Sequence, residues 1–113
     1  MKNRLNYCIV HITAGSLPEA QSIARTLVEE RLAACCSVIP VAHSFYRWEG
    51  TLHHDEESLI ICKTVEDVFP ALERRVREMH SYDVPELIMT PVTGGSQEYL
   101  AWVSASVDAT LKN

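Results

Sequence analysis

With 113 residues, 47% of them apolar and 22% charged, the chain has the size and composition of one globular domain, which sets aside disordered and fibrous classes. A formal net charge of −5, with no basic run longer than Arg74-Arg75, argues against a nucleic-acid binder, which needs a phosphate-neutralising stripe, and against a surface drawn to anionic membranes. No apolar segment reaches transmembrane length, and Met1–Asn6 carries Lys and Arg without the apolar stretch of a signal peptide.

In chain order, Tyr7–Thr13 is a short apolar run of strand type. Ser16-Leu17-Pro18-Glu19 reads as a capping box with proline in the first turn. Leu17, Ala20, Ile23, Ala24, Leu27 and Val28 then follow helical spacing to an end near Arg31. Cys35–Trp48 is rich in β-branched and aromatic residues and predicts an unusually long strand. Pro40 interrupts it, and a bend, bulge or edge is expected there because proline donates nothing to a ladder. Glu49-Gly50 is a turn, and Glu57–Thr64 a third strand. Val65, Val68, Phe69, Leu72, Val76 and Met79 resume helical spacing. Thr64 or Asp67 is the expected cap, with Pro70 favouring the later start. His80–Glu86 reads as a loop and Leu87–Val92 as a fourth strand. Gly94-Gly95-Ser96 opens a third helix with Tyr99, Leu100, Val103 and Val107 at apolar spacing. Two βαβ halves joined by a hairpin, plus a terminal helix, predict an α+β ferredoxin-like sandwich, a single domain over 1–113.

In that fold the helices cover one sheet face, and a free monomer should be polar on the other. Here both faces are apolar. Leu59 and Ile61 oppose Ile60 and Cys62, Tyr7 and Ile9 oppose Cys8, Val10 and Ile12, and Leu87 and Met89 oppose Ile88. Either the terminal helix or a partner subunit covers the second face. Length makes the same point. At about 3.3 Å per residue Cys35–Trp48 spans roughly 45 Å, more than the roughly 35 Å breadth of a domain this size. The tip around Trp48 should project, and with Phe45 and Tyr46 it is an aggregation hazard unless closed self-assembly pairs it.

The four cysteines, Cys8, Cys35, Cys36 and Cys62, lie in apolar runs and form no CxxC. They read as reduced, buried small hydrophobes rather than metal ligands, in keeping with a cytoplasmic protein. His53-His54-Asp55-Glu56-Glu57 is the densest group of ligand-type residues. On a strand His53, Asp55 and Glu57 share a face, and imidazole with carboxylate suits Zn, Ni or Cu(II). Adjacent ligands on one arm rarely close a site unaided, so a solvated arm is the favoured reading. His11 reads as buried or interfacial packing, Tyr99 and Trp102 as core packing, and His43 as a half-exposed strand residue without a role. No GxSxG, Walker loop, GxGxxG or HExxH is present. Thr93-Gly94-Gly95-Ser96 reads as a turn and cap before an anion cradle. The chain therefore points to binding or scaffolding rather than catalysis.

Leu32-Ala33-Ala34-Cys35, Ser44-Phe45-Tyr46-Arg47-Trp48-Glu49-Gly50, Glu57 with Leu59 and Lys63-Thr64, His80-Ser81-Tyr82 with Pro85-Glu86, and Tyr99-Leu100-Ala101-Trp102 occur in this order over nearly the whole chain. Together they resemble the CutA divalent-cation tolerance family. The Tyr-x-Trp-Glu-Gly and Tyr-x-x-Pro-Glu pieces are the most specific. The resemblance implies a non-enzymatic ferredoxin-like homotrimer, similar in architecture to the PII signalling proteins, with long hairpins paired between subunits. It also implies a part in tolerance of copper and other divalent cations, and so weak binding of copper or another divalent metal ion. The copper site proposed in bacterial members uses a Cys late in the first strand and two adjacent His before the Tyr-x-x-Pro-Glu loop. The matching positions here are Ile12, Met79 and His80, so His80 alone carries over as a metal candidate. Trp48, Glu57, Lys63, Tyr82 and Glu86 match family motifs and either line a cleft between subunits or tie the trimer together. The alternative function is a PII-like sensor binding a small ligand in those clefts, although Lys63 alone supplies little basic charge for a nucleotide. The expected partner is the chain itself, with no nucleic acid and no membrane.

Overall fold

In the computed structural model, which describes residues 6–112, the elements are β1 (Tyr7–Ala14), α1 (Leu17–Glu29), β2 (Cys35–Trp48), β3 (Thr51–Val65), α2 (Phe69–Met79), β4 (Leu87–Pro91) and α3 (Gln97–Ser106). Of the Met1–Asn6 stretch, only Asn6 lies among the described residues. The strands form one antiparallel sheet in the order β2-β3-β1-β4, the ferredoxin-like arrangement that the element order predicted. Strand alternation decides what meets the helices. Cys8, Val10 and Ile12 of β1 and Ile60 and Cys62 of β3 are buried in one cluster with Ala20, Ile23, Ala24 and Leu27 of α1 and Leu72 and Val76 of α2.

Local chemistry sets the element ends. Ser16 caps α1 by accepting from the Glu19 N–H at 3.3 Å, with Pro18 in the first turn. The helix stops without a glycine. Arg31 takes φ 61°, the Leu32 N–H reaches the Leu27 carbonyl at 2.9 Å and the Arg31 N–H reaches Val28 at 3.1 Å. This double closure satisfies the last carbonyls and buries Leu32 with Leu27. Before α2 a 3₁₀ turn covers Glu66–Val68, and Pro70 sits in the first turn of the helix. The cap position is Val68 rather than Thr64 or Asp67, and the Thr64 hydroxyl donates to the Leu32 carbonyl at 2.8 Å. Ser96 caps α3.

β2 has the expected bounds, whereas β3 starts at Thr51 rather than Glu57. The reason is the turn. Glu49 (φ 51°) and Gly50 (φ 82°) both take the left-handed region, and this mirror-type turn has the twist that keeps two strands paired directly from it. The polar residues 51–56 are therefore drawn into the ladder despite lacking apolar alternation. At Pro40 the expected irregularity is a bulge, with the β2 register shifting between Ile39 and Ala42. The Pro40 carbonyl accepts from the Ser58 hydroxyl at 2.7 Å.

Beyond this bulge the hairpin becomes an arm, because β1 pairs with β3 only over Ser58–Val65. The molecule measures 50 × 25 × 22 Å, and its radius of gyration is 14.9 Å against roughly 13 Å for a compact chain of this length. Phe45, Trp48 and Leu52 on the arm are 67%, 54% and 64% exposed. The sheet face away from α1 and α2 carries Ile9, His11, Ile39, Leu59, Ile61 and Ile88, of which Ile39 and Ile88 are exposed and the rest half-buried. α3 covers one end of that face, where Tyr7, Ile9 and Lys63 line a crevice with Tyr99, Leu100 and Val103. Core packing was expected of Tyr99 and Trp102. Instead these rings lie against each other at a centroid distance of 5.4 Å and remain about half exposed, because Val103 and Val107 occupy the buried side of the segment.

Ser58 is 2% exposed and is the partner of the bulge carbonyl. Ser58→Ala should leave that carbonyl unsatisfied and lower the unfolding free energy by about 1–2 kcal/mol in urea titration.

Candidate functional site

The arm and the loop after α2 enclose a cleft of about 610 Å³. β-pairing puts Ser44, Tyr46 and Trp48 of β2 on one face with His53, Asp55 and Glu57 of β3, since Tyr46 lies opposite His53 and Ser44 opposite Asp55. The loop brings up Tyr82, Asp83, Val84 and Glu86. Tyr46 stacks on His53 and donates its phenol to Asp55. Tyr82 donates to Glu57 at 2.9 Å. Both phenols are held above their ordinary range: Tyr46 chiefly by the bond to Asp55, Tyr82 chiefly by burial and then by Glu57. They therefore act as neutral donors to carboxylates. Glu57, Asp83 and Glu86 line the cleft, and none of its lining residues is a lysine or arginine.

The loop is pinned from below. His80, fully buried in its side chain, faces the Thr13 carbonyl through Nε2 at 2.7 Å and the Tyr82 N–H through Nδ1 at 3.1 Å. A carbonyl can only accept and an amide N–H can only donate, so the ring is the Nε2–H tautomer. Glu19 Oε2 lies 3.7 Å from Nδ1. That lone pair is already taken by Tyr82, so the contact is not an ion pair in this state. Glu19 instead accepts from the Ser81 N–H at 2.8 Å and its hydroxyl at 3.0 Å. Gly15 leaves room for Tyr82, whose hydroxyl would lie 3.2 Å from a Cβ at that position.

Of the residues singled out from sequence, Trp48, Glu57, Tyr82 and Glu86 meet in this cleft. Lys63 does not join them. It lies farther along β3, opposite Ile9 and Cys35, in the crevice beneath α3. The three positions matching the copper site of bacterial members do not make one here. Ile12 is fully buried core, Met79 packs against that core, and both nitrogens of His80 are engaged in holding the loop. Among the described residues no group of three or more His, Cys, Asp or Glu is gathered as a metal centre. The four cysteines are free, Cys8 and Cys62 buried and Cys35 and Cys36 half-buried. Burial, with Glu66 nearby, pushes the Cys8 thiol up to about 11, and the Cys36 contact followed by burial pushes Cys62 up. Such thiols are poor thiolate donors.

The His53–Glu57 run divides between the two faces of the arm. His53, Asp55 and Glu57 face the cleft, where Tyr46 and Tyr82 engage them. His54 points to the other face, stacked on Phe45 at 4.1 Å, with its Nε2 3.2 Å from His43 Nδ1. Sequence reading gave His43 no role. Only the hairpin register, which sets Phe45 opposite His54 and His43 opposite Glu56, would have revealed the pair.

The model of the family described as "CutA1 divalent ion tolerance protein" matches residues 8–106. The chain belongs to the CutA family. It is 45% identical over 95 residues to the divalent-cation tolerance protein CutA of Thermus thermophilus, covering 84% of this chain and 92% of that one. It is 40% identical over 98 residues to the chloroplastic Protein CutA of Arabidopsis thaliana, covering 87% of this chain and 54% of the plant protein, so the chain spans about half the length of that relative. Among solved structures, the Thermus thermophilus Cut A1 protein superimposes with a TM-score of 0.89 at 42% identity, over 90% of this chain and 99% of that one. The Archaeoglobus fulgidus CutA, named as periplasmic, gives 0.87 at 36% identity over 90% and 99%. The family and the Thermus and Archaeoglobus proteins are named for tolerance of divalent ions and not for a reaction.

Burial raises the Glu19 carboxyl, but the hydrogen bonds from the Ser81 N–H and hydroxyl and from the Gly15 amide outweigh it and hold it below its ordinary value of 4.5. A lowered folded value means that the stabilisation is complete above the ordinary value and is lost as pH falls through the folded one. Glu19→Gln should therefore flatten the loss of stability as pH falls below the ordinary value, read by urea unfolding on either side of it.

Proposed function

We propose that this CutA chain works without catalysis, as a homotrimer, in the handling of divalent metal ions. The observation that carries the assembly is the arm. Its apolar residues are open to solvent, and among the described residues its two strands have no third strand beside them, so their outer edges are open to pairing. Closure by neighbouring copies pairs those edges and covers the Ile9–Ile88 face. The absence of a catalytic motif and the relatives' names support a binding role. Nothing basic favours nucleic acid or an anionic membrane as a partner, since the net charge is −5. Among the described residues no helix is long and apolar enough to cross a membrane. Four free thiols, two with sulfurs 3.3 Å apart, favour a reducing, cytoplasmic setting over the periplasm named for the Archaeoglobus relative.

Metal binding on this reading is weak, to copper or another divalent ion, and lies away from His80, whose nitrogens are already used. The PII-like alternative has the cleft's volume in its favour. The lining of Glu57, Asp83 and Glu86 without a cation opposes nucleotide phosphates and suits cationic ligands. Sedimentation equilibrium at low micromolar concentration should give the mass of three subunits. Phe45→Ala or Trp48→Ala should each lower stability by about 3 kcal/mol per subunit, as for buried aromatics. A stable monomer would overturn the assembly, and a dimer would overturn its geometry while sparing the covered face.

A further inference from the structure

The arm face turned away from the cleft carries a pair of imidazoles that no contact described so far requires. His43 Nδ1 and His54 Nε2 are 3.2 Å apart, and both residues are exposed. Two neutral imidazoles at this distance share one proton, one ring donating and the other accepting. When the donor ring carries its proton on its other nitrogen instead, both facing nitrogens present lone pairs, and a divalent cation can take both with no net loss of a proton. Two nitrogens bound at about 2.0–2.1 Å to a tetrahedral zinc ion stand roughly 3.3 Å apart, whereas neighbouring positions in a square arrangement stand roughly 2.9 Å apart. The observed gap is close to the tetrahedral value.

We propose that His43 and His54 form a two-histidine site for a divalent cation of tetrahedral preference, zinc before copper(II). The rings come from different strands, so the ladder fixes their separation as no single flexible segment would. The stack of Phe45 on His54, 7° from parallel, restrains one ring further. Water completes the coordination, since among the described residues no third His, Cys, Asp or Glu is gathered with the pair. With only two histidine ligands, affinity is modest, as suits an ion that is exchanged rather than stored. The inference deepens the metal-handling reading and rests on it for its biological sense, but it does not depend on trimer formation.

The test is zinc titration by calorimetry of the wild-type protein and of His43→Gln and His54→Gln, with circular dichroism and sedimentation confirming the native state. Alongside it, imidazole ¹⁵N resonances of the wild-type protein are followed with zinc. Wild type should bind a single ion per subunit, with the largest shifts at His43 Nδ1 and His54 Nε2. Each substitution should weaken binding by at least tenfold, since even the loss of a group supporting a ligand costs about 10–100-fold. Zinc binding unchanged in both variants, or ¹⁵N shifts confined to other histidines, would overturn the site and leave the metal reading standing. No zinc binding by the wild type would overturn the site, while the broader metal reading would fall only if copper also failed to bind.

Discussion

Strands of fourteen and fifteen residues are paired to each other beside neighbours of eight and five, so much of the β2–β3 hairpin has no sheet beside it. The remaining architecture follows from this mismatch. The mirror-type turn at Glu49-Gly50 keeps the strands together from the tip, and the Pro40 bulge marks where the arm leaves the sheet. A lone two-stranded ribbon is marginal in water. One that exposes Phe45, Trp48 and Leu52 is also adhesive. The core beneath α1 and α2 is complete within one chain, whereas the arm and the far sheet face are not. Stability of the first kind is intrinsic, and stability of the second depends on protein concentration.

The cleft exists because the arm projects and the 80–86 loop is held rigidly beside it. His80, Glu19 and Gly15 act on the loop rather than on a ligand: they fix where Tyr82 can lie, and Tyr82 in turn holds Glu57. The result is an acidic, aromatic surface whose phenols stay protonated and donate. An arrangement of this kind accepts cations and repels phosphates. The opposite face of the same arm holds the histidine pair.

Much of this was legible in the sequence. Apolar residues on both faces of β1, β3 and β4 announced the uncovered sheet, and the length of Cys35–Trp48 announced the arm. Pro40 gave the bulge, and Ser16 and Ser96 gave two helix starts. What escaped was information carried by register rather than by composition. His53–Glu57 looked like one cluster but faces two ways, and His43 looked idle because its partner lies eleven residues away across the turn. The end of α1 near Arg31 was legible, but its left-handed closure was not, because Arg31 rather than glycine occupies that position. Lys63 and Glu57 share the family likeness yet lie at different sites, since β3 is long enough to serve both ends of the molecule.

Amide hydrogen exchange along residues 43–56, at a concentration where the protein is assembled, tests the dependence of the arm on neighbouring copies most directly. In the isolated chain the outer edges of these strands meet no further strand among the described residues, and their amides should exchange within the time of local fraying. The account predicts that the arm is protected nearly as well as β1 and the sheet portion of β3, and that this protection falls on dilution while that of the core persists. Fast exchange throughout the arm in concentrated protein, with a protected core, would contradict it.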